Sequence, residues 1–274
     1  MGDSMSQSVD LDAYFERIEW GGLTRPGYGT LAGLLAAHMS RIPFENLEVL
    51  LGRPVRLDLP SLQGKLVQAR RGGYCFEHAT LFAAVLEQLG FSPLRHTARV
   101  VLLLPRHESP RTHMLLTVPL AEGTFIVDPG FGALAPRIPV LLTDGAPMRT
   151  DHEIHWMARA QGEWVLRTKV GEKVVDCWMS SLEPDNLVDF EVGNHYTATH
   201  PMSPFVNRIM MRALTPSGRV TVMNRDVTIR DGAASTSSQL ADRAALRGLV
   251  AAHFGFDLPE VERLRVPSIP EWSH

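Results

Sequence analysis

Cysteine is scarce in this 274-residue chain, which carries only Cys75 and Cys177. A disulfide-stapled secreted scaffold is thereby excluded, and two free thiols in a reducing compartment are expected. Positive charge is not in excess either. The 27 Lys and Arg face 30 Asp and Glu, a formal charge of -3. That balance argues against a nucleic-acid partner and against a basic membrane-surface helix. No apolar run approaches the length that spans a bilayer; residues 100–104 are typical of the longest. Residues 1–9 are polar, with no positive stretch leading into an apolar run, so no secretory leader is expected. The expected location is cytoplasmic. Phosphate-cradling signatures are also missing: there is no P-loop and no strand-linked Gly-x-Gly-x-x-Gly. An anionic cofactor would need a local pocket that the sequence does not advertise.

What remains is an ordinary globular composition, 45% hydrophobic and 21% charged. The first third reads helical. Leu11, Phe15 and Ile18 recur at helical spacing, and Thr30 is a candidate cap for a helix carrying Leu31, Leu34, Leu35 and His38. Leu62, Leu66 and Val67 suggest a third helix. Phe82, Val85, Leu86 and Leu89 form an apolar stripe that Gly90 stops. Residues 97–104, 113–118 and 124–128 read as strands, with loops at 105–110 and 119–123. Further strands are expected at 164–170, 209–214 and 220–224. Residues 231–238 read as a polar linker, and 240–253 as a closing helix. The fold class is therefore α+β.

Cys75 follows Gly72 and Gly73 and opens the striped helix. A helix start favours a thiolate through its unpaired N–H groups and dipole, although a lone cysteine is more often a buried core residue. His113 opens one expected strand and Asp128 closes the next. A hairpin turning near Ala121 places the two within one residue of register. On one face their Cβ atoms would lie about 4.5–5.5 Å apart. A carboxylate could then fix the imidazole, and the imidazole could hold a thiolate. A one-residue slip would send one side chain to the other face unless a bulge intervenes. By themselves these residues fit a papain-like or transglutaminase-like hydrolase equally well, or an unreactive binding protein. Cys75 and His78 form a Cys-x-x-His, but zinc would need more ligands at short spacing, so His78 reads as packed or capping. Cys177 reads as a core thiol. His195, His200 and Asp226 lack a nearby nucleophile.

The segment Arg71-Gly72-Gly73-Tyr74-Cys75-Phe76-Glu77 resembles the active-site signature of arylamine N-acetyltransferases. Three more segments match in order: Ile42-Pro43-Phe44-Glu45-Asn46-Leu47, Thr112-His113-Met114, and Val127-Asp128-Pro129-Gly130-Phe131-Gly132. The opening Tyr14-Phe15-Glu16-Arg17-Ile18 fits the family's first helix, and His200-Pro201 and Phe205 carry a weaker likeness. The resemblance implies a Cys-His-Asp triad of Cys75, His113 and Asp128. It implies acetyl-CoA as co-substrate without a metal, a ping-pong cycle, and a small arylamine or hydrazine acceptor. Phe44, Phe131 and Phe205 would line the acceptor pocket; Thr112, Gly130 and Gly132 would lie near the coenzyme. The implied fold is a helical bundle over 1–90, an antiparallel β-barrel over 91–208 and an α/β lid over 209–274, around a cysteine-protease-like core. Relatives that close macrolactams from polyketide thioesters are a rival within the same resemblance. Pro129 departs from the family's usual Val; it fixes φ and removes one N–H, which bears on pocket shape more than on the triad.

Overall fold

The computed structural model describes residues 8–102, 104–150 and 153–273. Among the described residues, five α-helices precede the sheet. The first, α1 (Leu11–Ile18), is capped by Asp10, whose carboxylate accepts from the Ala13 N–H at 3.0 Å. The second, α2 (Tyr28–Arg41), starts ahead of Thr30, which is buried within it rather than capping it. The apolar spacing marks only the buried face, while Tyr28 packs on Phe125 at 5.0 Å and anchors an earlier first turn. A short α3 (Leu47–Leu50) follows. The next, α4 (Leu59–Leu62), is capped by Asp58 and runs into a π-helical turn, Gln63–Gln68. The fifth, α5 (Cys75–Gln88), is buried almost all round and ends before Gly90, whose φ of 84° suits a residue without Cβ.

Eight strands then form one antiparallel sheet in the order β4-β3-β2-β1-β8-β7-β6-β5. They are β1 (Leu94–Val100), β2 (Arg111–Leu120), β3 (Gly123–Val127), β4 (Val140–Leu141), β5 (Met148–Arg149), β6 (Ile154–Ala160), β7 (Glu163–Val170) and β8 (Lys173–Ser180). The sheet curls into a nearly closed barrel: Asp144, just beyond β4, bridges Met157 of β6. Its core includes Ala98, Leu115, Ile126, Met157, Leu166 and Trp178. The first strand starts and stops earlier than its apolar run suggests. A register shift between Ala98 and Arg99 precedes the last pair with β2, Arg99↔Arg111, and beyond it the Val101 N–H goes to the Cys177 carbonyl. Leu103 of the expected strand lies outside the described residues.

Beyond the barrel come α6 (Leu187–Thr199) and α7 (Pro204–Asn207). A four-stranded meander follows: β9 (Met210–Thr215), β10 (Gly218–Met223), β11 (Asp226–Asp231) and β12 (Ala234–Gln239). The expected polar linker at 231–238 is thus a hairpin. Both faces of β12 meet water, so its Ser and Thr show no alternation, and pairing with β11 from Asp226↔Gln239 to Asp231↔Ala234 satisfies its backbone. The closing helix, α8 (Arg243–Leu249), is capped by Asp242 and continues as a π-helical turn, Val250–Phe254. No helix among the described residues is long and apolar enough to cross a membrane.

Candidate functional site

Cys75 is the first residue of α5, as the Gly-Gly bend before it suggested. Glu77 seats that turn: its carboxylate accepts from the Tyr74 N–H at 3.1 Å and from Lys65 Nζ at 2.7 Å. The thiol is 3% exposed and donates to the Thr112 carbonyl at 3.7 Å, placing it against β2.

The β2–β3 hairpin pairs Leu116 with Val127 and Thr117 with Ile126, so its turn closes on Ala121 and Glu122. Extending that register puts Asp128 across from Leu115, on the face His113 shares. The two meet on the diagonal, not directly opposite, and the face is the favourable one. His113 Nε2 lies 2.9 Å from Asp128 Oδ2. Burial alone would lower the basicity of His113. The charge and hydrogen bond of Asp128 outweigh it, with Cys75 adding in the same direction, and the imidazole is pushed up to about 10. With Nε2 committed to Asp128, Nδ1 is the nitrogen left for the sulfur.

Close approach explains the glycine at 130. A Cβ there would fall 2.5 Å from the Cα of Cys75 and 3.2 Å from the Cβ of His78. The loop after Asp128 is therefore pressed onto the first turn of α5. Pro129 follows the last ladder pair, so its missing N–H removes none of the β2–β3 pairing.

All nine expected site residues converge. The Phe131 ring packs edge-on to His113, with centroids 4.9 Å apart. Phe44 and Phe205 sit 6.1 Å apart, and Phe205 lies 5.3 Å from Tyr74, the neighbour of Cys75. All three phenylalanines are only half-buried. Thr112 and Gly130 touch Cys75, whereas Gly132 faces the Phe44 ring. His78 is a packed residue, as expected: its Nε2 lies 3.2 Å from the Pro43 carbonyl and 3.1 Å from that of Gly73. Cys177 is fully buried and held protonated by burial, with the nearby Asp128 charge adding to it. His200 stacks on Tyr196 and Asp226 binds Gln239; neither is joined to Cys75. Among the described residues no group of three His, Cys, Asp or Glu could hold a metal ion.

Two contributors were given no role by the sequence: Trp178, which carried no signal, and Asn46, which lies in the matching segment 42–47. Trp178 Nε1–H donates to Asp128 Oδ2 at 2.9 Å, from a strand that composition did not reveal. Both donors of the pair land on Oδ2, and Oδ1 is buried without a hydrogen-bond partner. Asn46 Nδ2 donates to the carbonyls of Phe205 at 2.8 Å and Arg208 at 2.7 Å, fixing the loop that presents Phe205.

The sequence profile of the family described as N-acetyltransferase matches residues 28–263. The arylamine N-acetyltransferase of Mycobacterium tuberculosis strain H37Rv is 36% identical over 259 residues, covering 93% of this chain and 92% of that protein. Its solved structure superposes with a TM-score of 0.87, covering 92% of this chain and 94% of that one. A Mycobacterium marinum arylamine N-acetyltransferase, solved in complex with CoA, is 34% identical with the same TM-score of 0.87 and coverages of 92% and 94%. A Salmonella typhimurium relative, named arylamine N-acetyltransferase / N-hydroxyarylamine O-acetyltransferase, is 34% identical, covering 92% of this chain and 90% of that protein. The chain belongs to the arylamine N-acetyltransferase family of acetyl-transferring enzymes.

Proposed function

We propose that this enzyme moves an acetyl group from acetyl-CoA to the nitrogen or oxygen of arylamines, arylhydrazines or N-hydroxyarylamines by a ping-pong cycle through acetyl-Cys75. The observation that carries the reading is the imidazole of His113, buried between the Asp128 carboxylate and the Cys75 thiol. The names of its relatives, and the CoA bound by one of them, support the donor and acceptor classes.

In the first half-reaction the Cys75 thiolate attacks the thioester carbonyl. The C–S bond to CoA breaks, and the departing thiolate takes the proton held by His113. One sulfur replaces another, so the step is near-balanced. In the second half-reaction the acceptor nitrogen attacks the acetyl-Cys75 carbonyl while His113 takes its proton. The Cys75 thiolate then leaves. Asp128 stabilises the imidazolium each time it forms. Phe44, Phe131 and Phe205 offer a half-open aromatic surface suited to a flat apolar ring with one polar tip. Thr112, Gly130 and Gly132 border the place where the coenzyme's reactive end would enter. The division into a helical bundle (1–90), a barrel (91–208) and a lid (209–274) belongs to the same reading, with the sulfur drawn from the first part and the base pair and Phe205 from the second. Hydrolysis of amides and macrolactam closure rest on the same triad and gain no observation of their own.

Incubation with acetyl-CoA and no acceptor is expected to add one acetyl mass to Cys75 in intact-protein mass spectra, and C75S to show none. An unmodified wild-type protein would sink the mechanism.

A further inference from the structure

We propose that Arg212 is a positioning residue that sets the width of the acceptor pocket by tying Gly132 to Phe44. This rests on the assignment of Phe44 to that pocket. Arg212 lies within β9 and is 4% exposed. Its main chain pairs with Phe44 in both directions, N–H to carbonyl and carbonyl to N–H, each at 2.9 Å. Phe44 in turn bridges Gly73, where the Glu45 N–H reaches the Gly73 carbonyl at 2.8 Å and the Gly73 N–H reaches the Pro43 carbonyl at 3.2 Å. A backbone path thus runs from β9 through Phe44 to the turn that presents Cys75.

The side chain runs the other way. Arg212 Nη1 donates to the Gly132 carbonyl. Gly132 sits at φ 75°, and a Cβ on it would lie 3.3 to 3.4 Å from the edge of the Phe44 ring. One residue therefore holds both walls, Phe44 through its backbone and Gly132 through its guanidinium. Between them lies a void of about 10 Å³, bordered by Met39, Ile42, Pro129 and Leu214, with room for a single water.

Packing alone does not account for a charged group here. Glu153 meets Arg219 at 2.6 Å, Arg137 at 3.8 Å and Arg212 at 3.9 Å, so three cations share one carboxylate. Arg212 Nε and Nη2 are buried without a hydrogen-bond partner. Burial, opposed by Glu153, lowers its basicity to about 9, which leaves it charged at neutral pH. A buried cation with unmet donors is costly, yet removing it alone also strips a partner from Glu153 and from the Gly132 carbonyl. The tie to Gly132 is what that removal gives up.

The test compares R212M and R212K with the wild type in acceptor-free acetylation, in KM and kcat for para-substituted anilines of increasing size, and in melting temperature. In R212M, KM for the smallest aniline should rise on the order of tenfold, the scale of losing one charge-assisted hydrogen bond. The kcat/KM ranking should shift toward bulkier anilines, while acetylation of Cys75 and kcat change far less, whatever the shift in melting temperature. R212K keeps one donor and should recover part of the change. An unaltered acceptor ranking overturns the proposal, as does a joint fall of KM quality, kcat, acetylation and melting temperature. If R212M does not accumulate folded, R212K decides: an intermediate shift supports the tie, and wild-type ranking ends it. Failure of the wild type to acetylate is a separate result, against the ping-pong reading itself.

Discussion

His113 and His78 are both buried beside Cys75, one facing it from the barrel and one a turn along its own helix, yet their charge states are opposite. His113 has a carboxylate at 2.9 Å and is held up to about 10. His78 has only neutral partners, and burial lowers it to about 4. Its Nε2–H donates to two carbonyls, so its Nδ1 accepts from His38 Nε2–H at 2.8 Å, and His38 Nδ1 accepts from the Tyr14 hydroxyl at 2.8 Å. A chain of neutral groups braces the helix from below, while a charged pair works above it. Burial discharges an imidazole unless an anion is built in beside it.

The most drastic way to break this contrast is D128N, which gives His113 a neutral partner like those of His78. Its kcat/KM with acetyl-CoA and an arylamine should fall on the order of 10³–10⁴-fold, as when an orienting carboxylate is neutralised elsewhere. A loss under about tenfold would mean that Asp128 is not what separates the two histidines.

The contrast can also be read in stability. His113 is raised in the folded state, so its contribution is complete below its ordinary value of 6.5 and is lost as pH rises through about 10. His78 is lowered, so its contribution holds above 6.5 and is lost as pH falls from there toward about 4. Acidification through that window should cost up to ~3 kcal/mol from His78 alone. The gap between urea midpoints at about pH 7 and about pH 5 should narrow in H78Q, the remainder coming from His38, His96 and His155, which burial also lowers; an unchanged acid slope in that variant would refute the assignment.

The gentlest perturbation is W178F, which keeps an aromatic ring, removes the N–H from Asp128 and leaves a small gap where the indole's second ring packed. A kcat decrease of roughly tenfold is expected, the scale of one hydrogen bond to a buried charge. An unchanged pH–rate profile together with unchanged kcat would leave Trp178 with packing alone.

Much of the catalytic geometry was legible because it is local. Gly72 and Gly73, the apolar stripe of α5 and the short loop between β2 and β3 all act within a few residues, and hairpin arithmetic brought His113 to Asp128. The rest depends on contacts between residues far apart in the chain. Trp178 reaches Asp128 from β8, a strand that was not expected, and Arg212 reaches Gly132 from β9. The α6 helix escaped notice because Leu187, Val188 and Val192 face water, which blurs any apolar stripe. Thr30 misled because a residue that often caps helices is here buried inside one.

The seating of Gly130 on Cys75 has a consequence for how the molecule comes into being. Ribosomal synthesis makes residue 75 first, and the imidazole and carboxylate proposed to activate its sulfur follow only with residues 113 and 128. Until the stretch around 130 has docked, the emerging polypeptide holds an unarmed thiol. On the proposed mechanism, the reactivity of that sulfur therefore waits for folding to be completed.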